Sequence, residues 1–160
     1  GAYGGEMKQV AVRTEYLDAA GNLRCLDGAE QEFSYRRSAI TGSTHVIVAG
    51  TFALTPDAES KIRETMQELM ARRKASQPLE LPSAGSTFKR PVGGYAAALI
   101  EQAGLKGVQI GGAAVSSKHT GFVVNLGGAT EADVLALIAY IQKRVLETSG
   151  IALETEVIRL

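Results

Sequence analysis

One cysteine, no tryptophan and only four prolines occur in this 160-residue chain. Cys25 on its own excludes an intrachain disulfide and any cysteine-rich zinc site, and reads as a small packing residue. Net charge is missing as well. The 17 basic residues cancel the 17 acidic ones, so no global field draws the chain to nucleic acid or to an anionic membrane. Long apolar runs are absent: Tyr95 to Ile100 and His45 to Leu54 are too short to span a bilayer. Gly1-Ala2-Tyr3-Gly4-Gly5-Glu6 has neither the basic start nor the apolar core of a signal peptide, so a cytoplasmic protein is expected. His45 and His119 are the only histidines and have no acidic cluster beside them, so no metal site is expected.

What is present is an ordinary globular composition, 45% apolar, long enough for one fair-sized domain or two small ones. Met7 to Leu17 and Leu23 to Leu26 read as strands joined by a turn at Asp18 to Asn22, and Thr44 to Leu54 reads as a β-branched third strand. Thr55-Pro56-Asp57 has the chemistry of a helix start. Ile62, Met66, Leu69 and Met70 fall on one face of that helix, which ends in Arg72-Arg73-Lys74. Ala75 to Pro82 holds two prolines and no period, and marks a boundary. Beyond it come a short helix at about Gly94 to Ala103, a strand-like Gly107 to Ile110, a turn at Gly111-Gly112 and a buried strand at Gly121 to Leu126. A long helix follows over Glu131 to Thr148, with Thr130 as its cap, Val134, Leu137, Ile138, Ile141 and Val145 as its apolar stripe, and Gly150 as its end. Ile151 to Leu160 alternates as a final strand. The fold class is α+β, in two pieces, residues 1–75 and 76–160.

The densest chemistry lies in Pro82 to Pro91. Gly85 allows a sharp turn, Pro91 prevents a regular helix, and Ser86 is left beside Lys89 and Arg90, a setting suited to an anionic ligand. The same residues also fit an ordinary loop. Ser86-Thr87-Phe88-Lys89 matches the S-x-x-K of β-lactamases, which needs Ser and Lys one helical turn apart. Pro91 follows too closely for that, and no Ser-Asp-Asn element occurs. The double glycines do not form G-x-G-x-x-G after a strand, so a Rossmann site is not indicated. Tyr35-Arg36-Arg37-Ser38 offers guanidinium groups able to fork onto a carboxylate, or else is an exposed basic turn. His119 is either a rim ligand or a surface residue, and Glu154 and Glu156 read by period alone as the solvent side of a strand.

These segments occur in one order: Gly1 to Glu6, Tyr35 to Ser38, Gln77-Pro78-Leu79-Glu80, Pro82 to Pro91, Leu105-Lys106-Gly107 through Val115, Lys118-His119, and Leu153-Glu154-Thr155-Glu156-Val157. In that order and spacing the chain closely resembles the UDP-N-acetylenolpyruvoylglucosamine reductase (UDP-N-acetylmuramate dehydrogenase, MurB) family of peptidoglycan synthesis. The resemblance implies a cytoplasmic oxidoreductase with FAD as cofactor and NADPH as hydride donor. Its substrate would be UDP-N-acetylglucosamine enolpyruvate and its product UDP-N-acetylmuramate.

Carried over residue by residue, the resemblance makes Ser86 the proton donor to the substrate carbon, and makes Arg36 and Glu156 the stabilisers of the enolic intermediate. Lys106 and His119 fall at contacts to the UDP-sugar, and Lys74 and Arg90 are added to that set. Gly1, Ala2, Tyr3 and Gly4 fall on the FAD side. Glu156 would need a proton to help, which burial favours. Lys89 is assigned, on chemistry alone, to steadying the serine alkoxide and thus to the substrate side. A tyrosine-bearing insertion before the first long helix is missing, as in the family's second type. The family also has an N-terminal region that builds most of the FAD site. Residues 1–75 are therefore expected to be the tail of the FAD-binding part and 76–160 the substrate domain, with the isolated piece inactive. A non-catalytic nucleotide-sugar binding module is the alternative.

Overall fold

The structure, a computed structural model, describes residues 3–158. It divides into two compact units at Met66/Gln67, inside a helix rather than in the proline-containing stretch where a boundary was expected.

The first unit is built on a three-stranded antiparallel sheet in the order β2-β1-β3, with β1 at Ala11–Leu17, β2 at Leu23–Asp27 and β3 at Val46–Phe52. The long first strand expected from Met7 is shorter, because Met7–Gln9 winds into a 3-10 helix. Asp18 sets the turn between β1 and β2. Its carboxylate accepts the Ala20 and Asn22 amides at 3.0 and 2.9 Å and the Arg24 guanidinium at 3.1 Å. The Asn22 amide above all holds that carboxyl at about 2. Behind the sheet, buried Gln31 accepts the Thr14 hydroxyl at 2.7 Å and donates to the Ala11 carbonyl at 3.2 Å. Gln31 lines an apolar cleft of about 300 Å3 together with Phe33, Ile40, Ile47 and Phe52. No hydrophobic side chain among the described residues of this unit is fully buried, and β3 is exposed along its whole length.

Helix α1 spans Glu59–Ser76, starting later than Thr55-Pro56-Asp57 indicated. Its expected apolar stripe is uncovered: Ile62, Met66 and Met70 are exposed. Local ion pairs support the helix instead, with Asp57 to Lys61 and Glu59 to Arg63 each at 2.7 Å, a spacing that stacks side chains one turn apart.

The second unit carries the core. A four-stranded antiparallel sheet, β4-β7-β6-β5, is formed by Ser83–Ser86 (β4), Gln109–Ile110 (β5), Ala113–Val115 (β6) and Phe122–Asn125 (β7). Strands β4 and β6 were not anticipated. Each is too short to show a period, and β4 carries a bulge at Gly85 with φ +85°. Helices α2 (Ala96–Gln102) and α3 (Glu131–Ser149) join the sheet in one core, in which Ile100, Leu137, Ile141 and Val145 are fully buried beside Val115 and Val123. Ala114, Phe122 and Val124 alternate onto a second, smaller cluster with Leu81.

Sequence and structure agree closely at α3. The Thr130 hydroxyl accepts the Asp133 amide at 3.2 Å, the Asp133 carboxylate accepts the Thr130 amide at 2.9 Å, and Gly150 closes the helix at φ +70°. The Thr130 amide, with help from the Gly112 amide, holds the Asp133 carboxyl below the usual carboxylate range. Of the final strand expected over Ile151 to Leu160, the last two residues lie outside the described ones, and over 151–158 it reduces to one bridge, Phe88 to Thr155.

The Gly111-Gly112 turn packs against the start of α3 so closely that a methyl on Gly112 would lie 2.4 Å from the Ala129 nitrogen and 2.6 Å from the Gly127 oxygen. Both are backbone atoms and cannot swing aside. Gly112→Ala is therefore expected to cost roughly 1–3 kcal/mol by overpacking, with a fall in Tm of about 4–8 °C per kcal/mol for a unit of this size. Gly94→Ala, where the same methyl meets open space, should leave Tm nearly unchanged in the same thermal scans.

Candidate active site

Three backbone contacts organise the region around Ser86. Thr87 is buried and donates its amide to the Gly121 carbonyl at 2.9 Å. Its hydroxyl oxygen accepts the Val123 amide at 3.0 Å. On its other side the Thr87 carbonyl accepts the Glu156 amide at 2.9 Å, and the Lys89 amide donates to the Glu154 carbonyl at 2.8 Å. Between these two bonds Phe88 is buried in the core beside Leu153. The residues following β4 thus form a short antiparallel ladder with the 154–156 segment, and the ladder sets Ser86 and Glu156 on adjoining chains.

Ser86 is exposed at the end of β4 and pairs across the sheet with Phe122. Cross-strand partners present their side chains to the same face, so Ser86 belongs to the Phe122 side. The His119 ring meets the edge of Phe122 at a centroid distance of 5.0 Å and an angle of 76°. His119 Nδ1 accepts the Gly121 amide at 3.2 Å, which leaves the proton of the neutral ring on Nε2. The buried Ser116 hydroxyl oxygen accepts the amides of Lys118 and His119 at 3.1 and 3.2 Å and shapes this turn. Ser86 and His119 therefore lie at one end of β7, and Glu156 lies on the adjoining chain opposite Thr87. Ser86 to Lys89 is extended, so the helical Ser-Lys geometry of a β-lactamase is absent.

The remaining expected site residues are distributed differently. Lys89 forms an exposed pair with Glu154 at 3.1 Å. Lys106 pairs with Glu101 at 3.2 Å, and Lys74 lies exposed in the last turn of α1. Arg90 lies over the ring of Tyr95. Arg36 belongs to the first unit, in a tight turn closed by Ser34 and Arg37, where it adopts φ +58° and its guanidinium lies 5.4 Å from the Tyr35 ring centroid. A left-handed arginine is uncommon and marks a turn that the surroundings must hold. Of the residues expected on the FAD side, Gly1 and Ala2 lie outside the described residues. Tyr3 and Gly4 form a turn with φ +51° and +83°, and nothing lies within 4 Å of a methyl placed on Gly4. No group of three or more metal-ligating side chains comes together among the described residues.

Thr87, Tyr95 and Ser116 were not singled out from the sequence. Thr87 follows Gly-Ser at a bulge, and a β-branched hydroxyl there was the one available signal. Phe88 is the mechanical anchor, and Phe88→Ala is expected to cost about 3–5 kcal/mol in denaturant unfolding. The amides of Lys89 and Glu156 should lose their exchange protection with it.

Residues 77–160 match the family model described as UDP-N-acetylenolpyruvoylglucosamine reductase, C-terminal domain. A UDP-N-acetylenolpyruvoylglucosamine reductase of Levilactobacillus brevis is 53% identical over 157 residues, which is 98% of this chain and 52% of that protein. One of Caldanaerobacter subterraneus subsp. tengcongensis is 50% identical over the same shares. The crystal structure of the reductase (MurB) from Thermus caldophilus is similar with a TM-score of 0.81 at 33% identity, covering 99% of this chain and 57% of that one. The chain spans about half the length of these curated relatives. It belongs to the UDP-N-acetylenolpyruvoylglucosamine reductase family.

Proposed function

We propose that this chain carries the substrate-side machinery of a cytoplasmic reductase that converts UDP-N-acetylglucosamine enolpyruvate to UDP-N-acetylmuramate in cell-wall synthesis. The observation that supports this reading is the ladder at Thr87 and Lys89, in which the chain carrying Ser86 adjoins the one carrying Glu156. A module that only bound a nucleotide sugar would have no use for that pairing. Bound FAD would supply the chemistry of hydride transfer from NADPH to the enolpyruvyl double bond. The open backbone at Tyr3-Gly4 fits a cofactor that must come close, and the apolar cleft beside Gln31 fits one wall of such a site.

The chain's own residues handle the charge that follows. Hydride addition leaves an enolate next to a carboxylate, and Arg36 supplies fixed positive charge for it. Glu156, half-buried, is the residue assigned to the enolic oxygen. The Ser86 hydroxyl then gives its proton to the substrate carbon. His119 offers its Nε2 proton to the nucleotide sugar, and Lys106 and Lys74 add charge on the substrate side. The exposed β3 and the uncovered stripe of α1 are apolar surfaces of the kind that another protein region covers. We assign that covering to the N-terminal FAD-binding region of the same enzyme, with residues 1–75 as the tail of that part and 76–160 as the substrate domain.

The test is made in a full-length enzyme carrying this segment. Ser86→Ala should leave anaerobic reduction of the flavin by NADPH close to normal, while reoxidation by the enolpyruvyl sugar slows by a factor of about 10²–10⁴ or more. Stopped-flow traces in which both halves slow equally, or neither does, would remove Ser86 from the proton-delivery role.

A further inference from the structure

A cavity of about 360 Å3 lies on the α3 side of the second sheet, bounded by Pro82, Thr87, Val123, Val134, Ile138 and Val157. Its side follows from alternation along β7. Val123 belongs to the core that contains α3, whereas its neighbour Phe122, the cross-strand partner of Ser86, belongs to the smaller cluster. Successive strand residues point to opposite faces, so the cavity and the Ser86 side chain occupy opposite faces of the sheet. Two of its walls are nonetheless next to the ladder residues. Thr87 follows Ser86, Val157 follows Glu156, and the Glu156 amide donates to the Thr87 carbonyl at 2.9 Å.

The lining defines what can enter. Among the described residues no charged side chain lines the cavity, so an ion would lose its hydration there without a counter-charge. Two of the polar side chains in the lining already hold partners. The Asn125 side-chain oxygen accepts the Gly127 and Ala129 amides at 2.8 and 3.1 Å, and the Ser83 hydroxyl oxygen accepts the Gly85 amide at 3.3 Å. Thr87 is different. It is 3% exposed and its hydroxyl oxygen accepts the Val123 amide, but nothing among the described residues accepts the hydroxyl proton. A buried donor without an acceptor is costly, and an acceptor atom brought into the cavity removes that cost. An apolar cavity of about 150 Å3 already holds a benzene molecule, and this one is larger.

We propose that this cavity is a second ligand site, for a small neutral apolar molecule carrying one hydrogen-bond acceptor, which the Thr87 hydroxyl receives. The occupant rests on Thr87 and Val157 and so bridges both chains of the ladder from the face opposite Ser86. An opening that frees the Glu156 amide from Thr87 also dismantles the site, which couples occupancy to the ladder.

Acetophenone, a ring with one carbonyl, and ethylbenzene, its counterpart without an acceptor, serve as probes. In methyl NMR of the 160-residue chain, both should shift Val123, Val134, Ile138 and Val157 and leave Val145, fully buried in the same helix, unchanged. Thr87→Val should weaken acetophenone about two- to tenfold and leave ethylbenzene unweakened. Thr87→Ser keeps the hydroxyl and should retain the affinity for acetophenone. At a probe concentration about ten times its Kd, exchange of the Glu156 amide should slow about tenfold. Val134→Phe fills the cavity and should abolish both the shifts and the slowing, which keeps the test decisive if Thr87→Val does not fold. A full-length enzyme carrying this segment should give the same methyl shifts. Equal weakening of the two probes by Thr87→Val, unchanged Glu156 exchange at saturation, or a full-length enzyme that takes neither probe would each overturn the proposal.

Discussion

Two backbone hydrogen bonds on either side of Phe88 determine what this chain can do. The Glu156 amide on the Thr87 carbonyl and the Lys89 amide on the Glu154 carbonyl tie the end of the chain to the exit of β4. Each bond contributes modestly by itself, but they flank a phenylalanine sunk in the core beside Leu153, so breaking them also exposes apolar surface. The backbone pairing fixes the register of the two chains, so that Thr87 lies opposite Glu156 and Ser86 is the next residue along. Thr87 reinforces the arrangement by engaging β7 through both its amide and its hydroxyl.

The second unit has what is needed to hold such a site rigid: a sheet with both faces covered, a capped helix with a continuous buried stripe, and a glycine turn that lets the helix approach the sheet. The first unit is different in kind. Its sheet is well hydrogen-bonded, yet its apolar residues remain exposed and its one fully buried large side chain among the described residues is the amide of Gln31. Three strands can keep register through backbone pairing and the Asp18 turn, but apolar burial, the dominant source of stability, is small there.

The sequence revealed most where a local rule and a burial pattern coincide. Helix α3 could be read almost residue for residue because Thr130, the 3.6 period and Gly150 all agree. The apolar stripe of α1 was legible as a stripe, but period reports which residues share a face and not whether anything covers it, and this one is uncovered. Short strands such as β4 and β6 escaped notice because three or four residues carry no period, and their existence depends on partners distant in sequence. For the site, Ser86 and Glu156 were legible as residue types in a family order, whereas their adjacency was not. It arises from the long-range ladder, which no local pattern encodes. Nor did nearness in sequence to Ser86 reveal the partner of Lys89, whose ammonium forms an exposed pair with Glu154.

Native-state hydrogen exchange on the 160-residue chain tests the central claim most directly, because it reads the ladder bond by bond. The amides of Lys89 and Glu156 should exchange only through the opening that also releases core amides such as Val115, whose own bond to the Val108 carbonyl is 2.8 Å. Exchange at close to the rate of an unprotected peptide, while Val115 stays protected, would mean that the 154–156 segment frays independently. Ser86 and Glu156 would then not be held together by the fold.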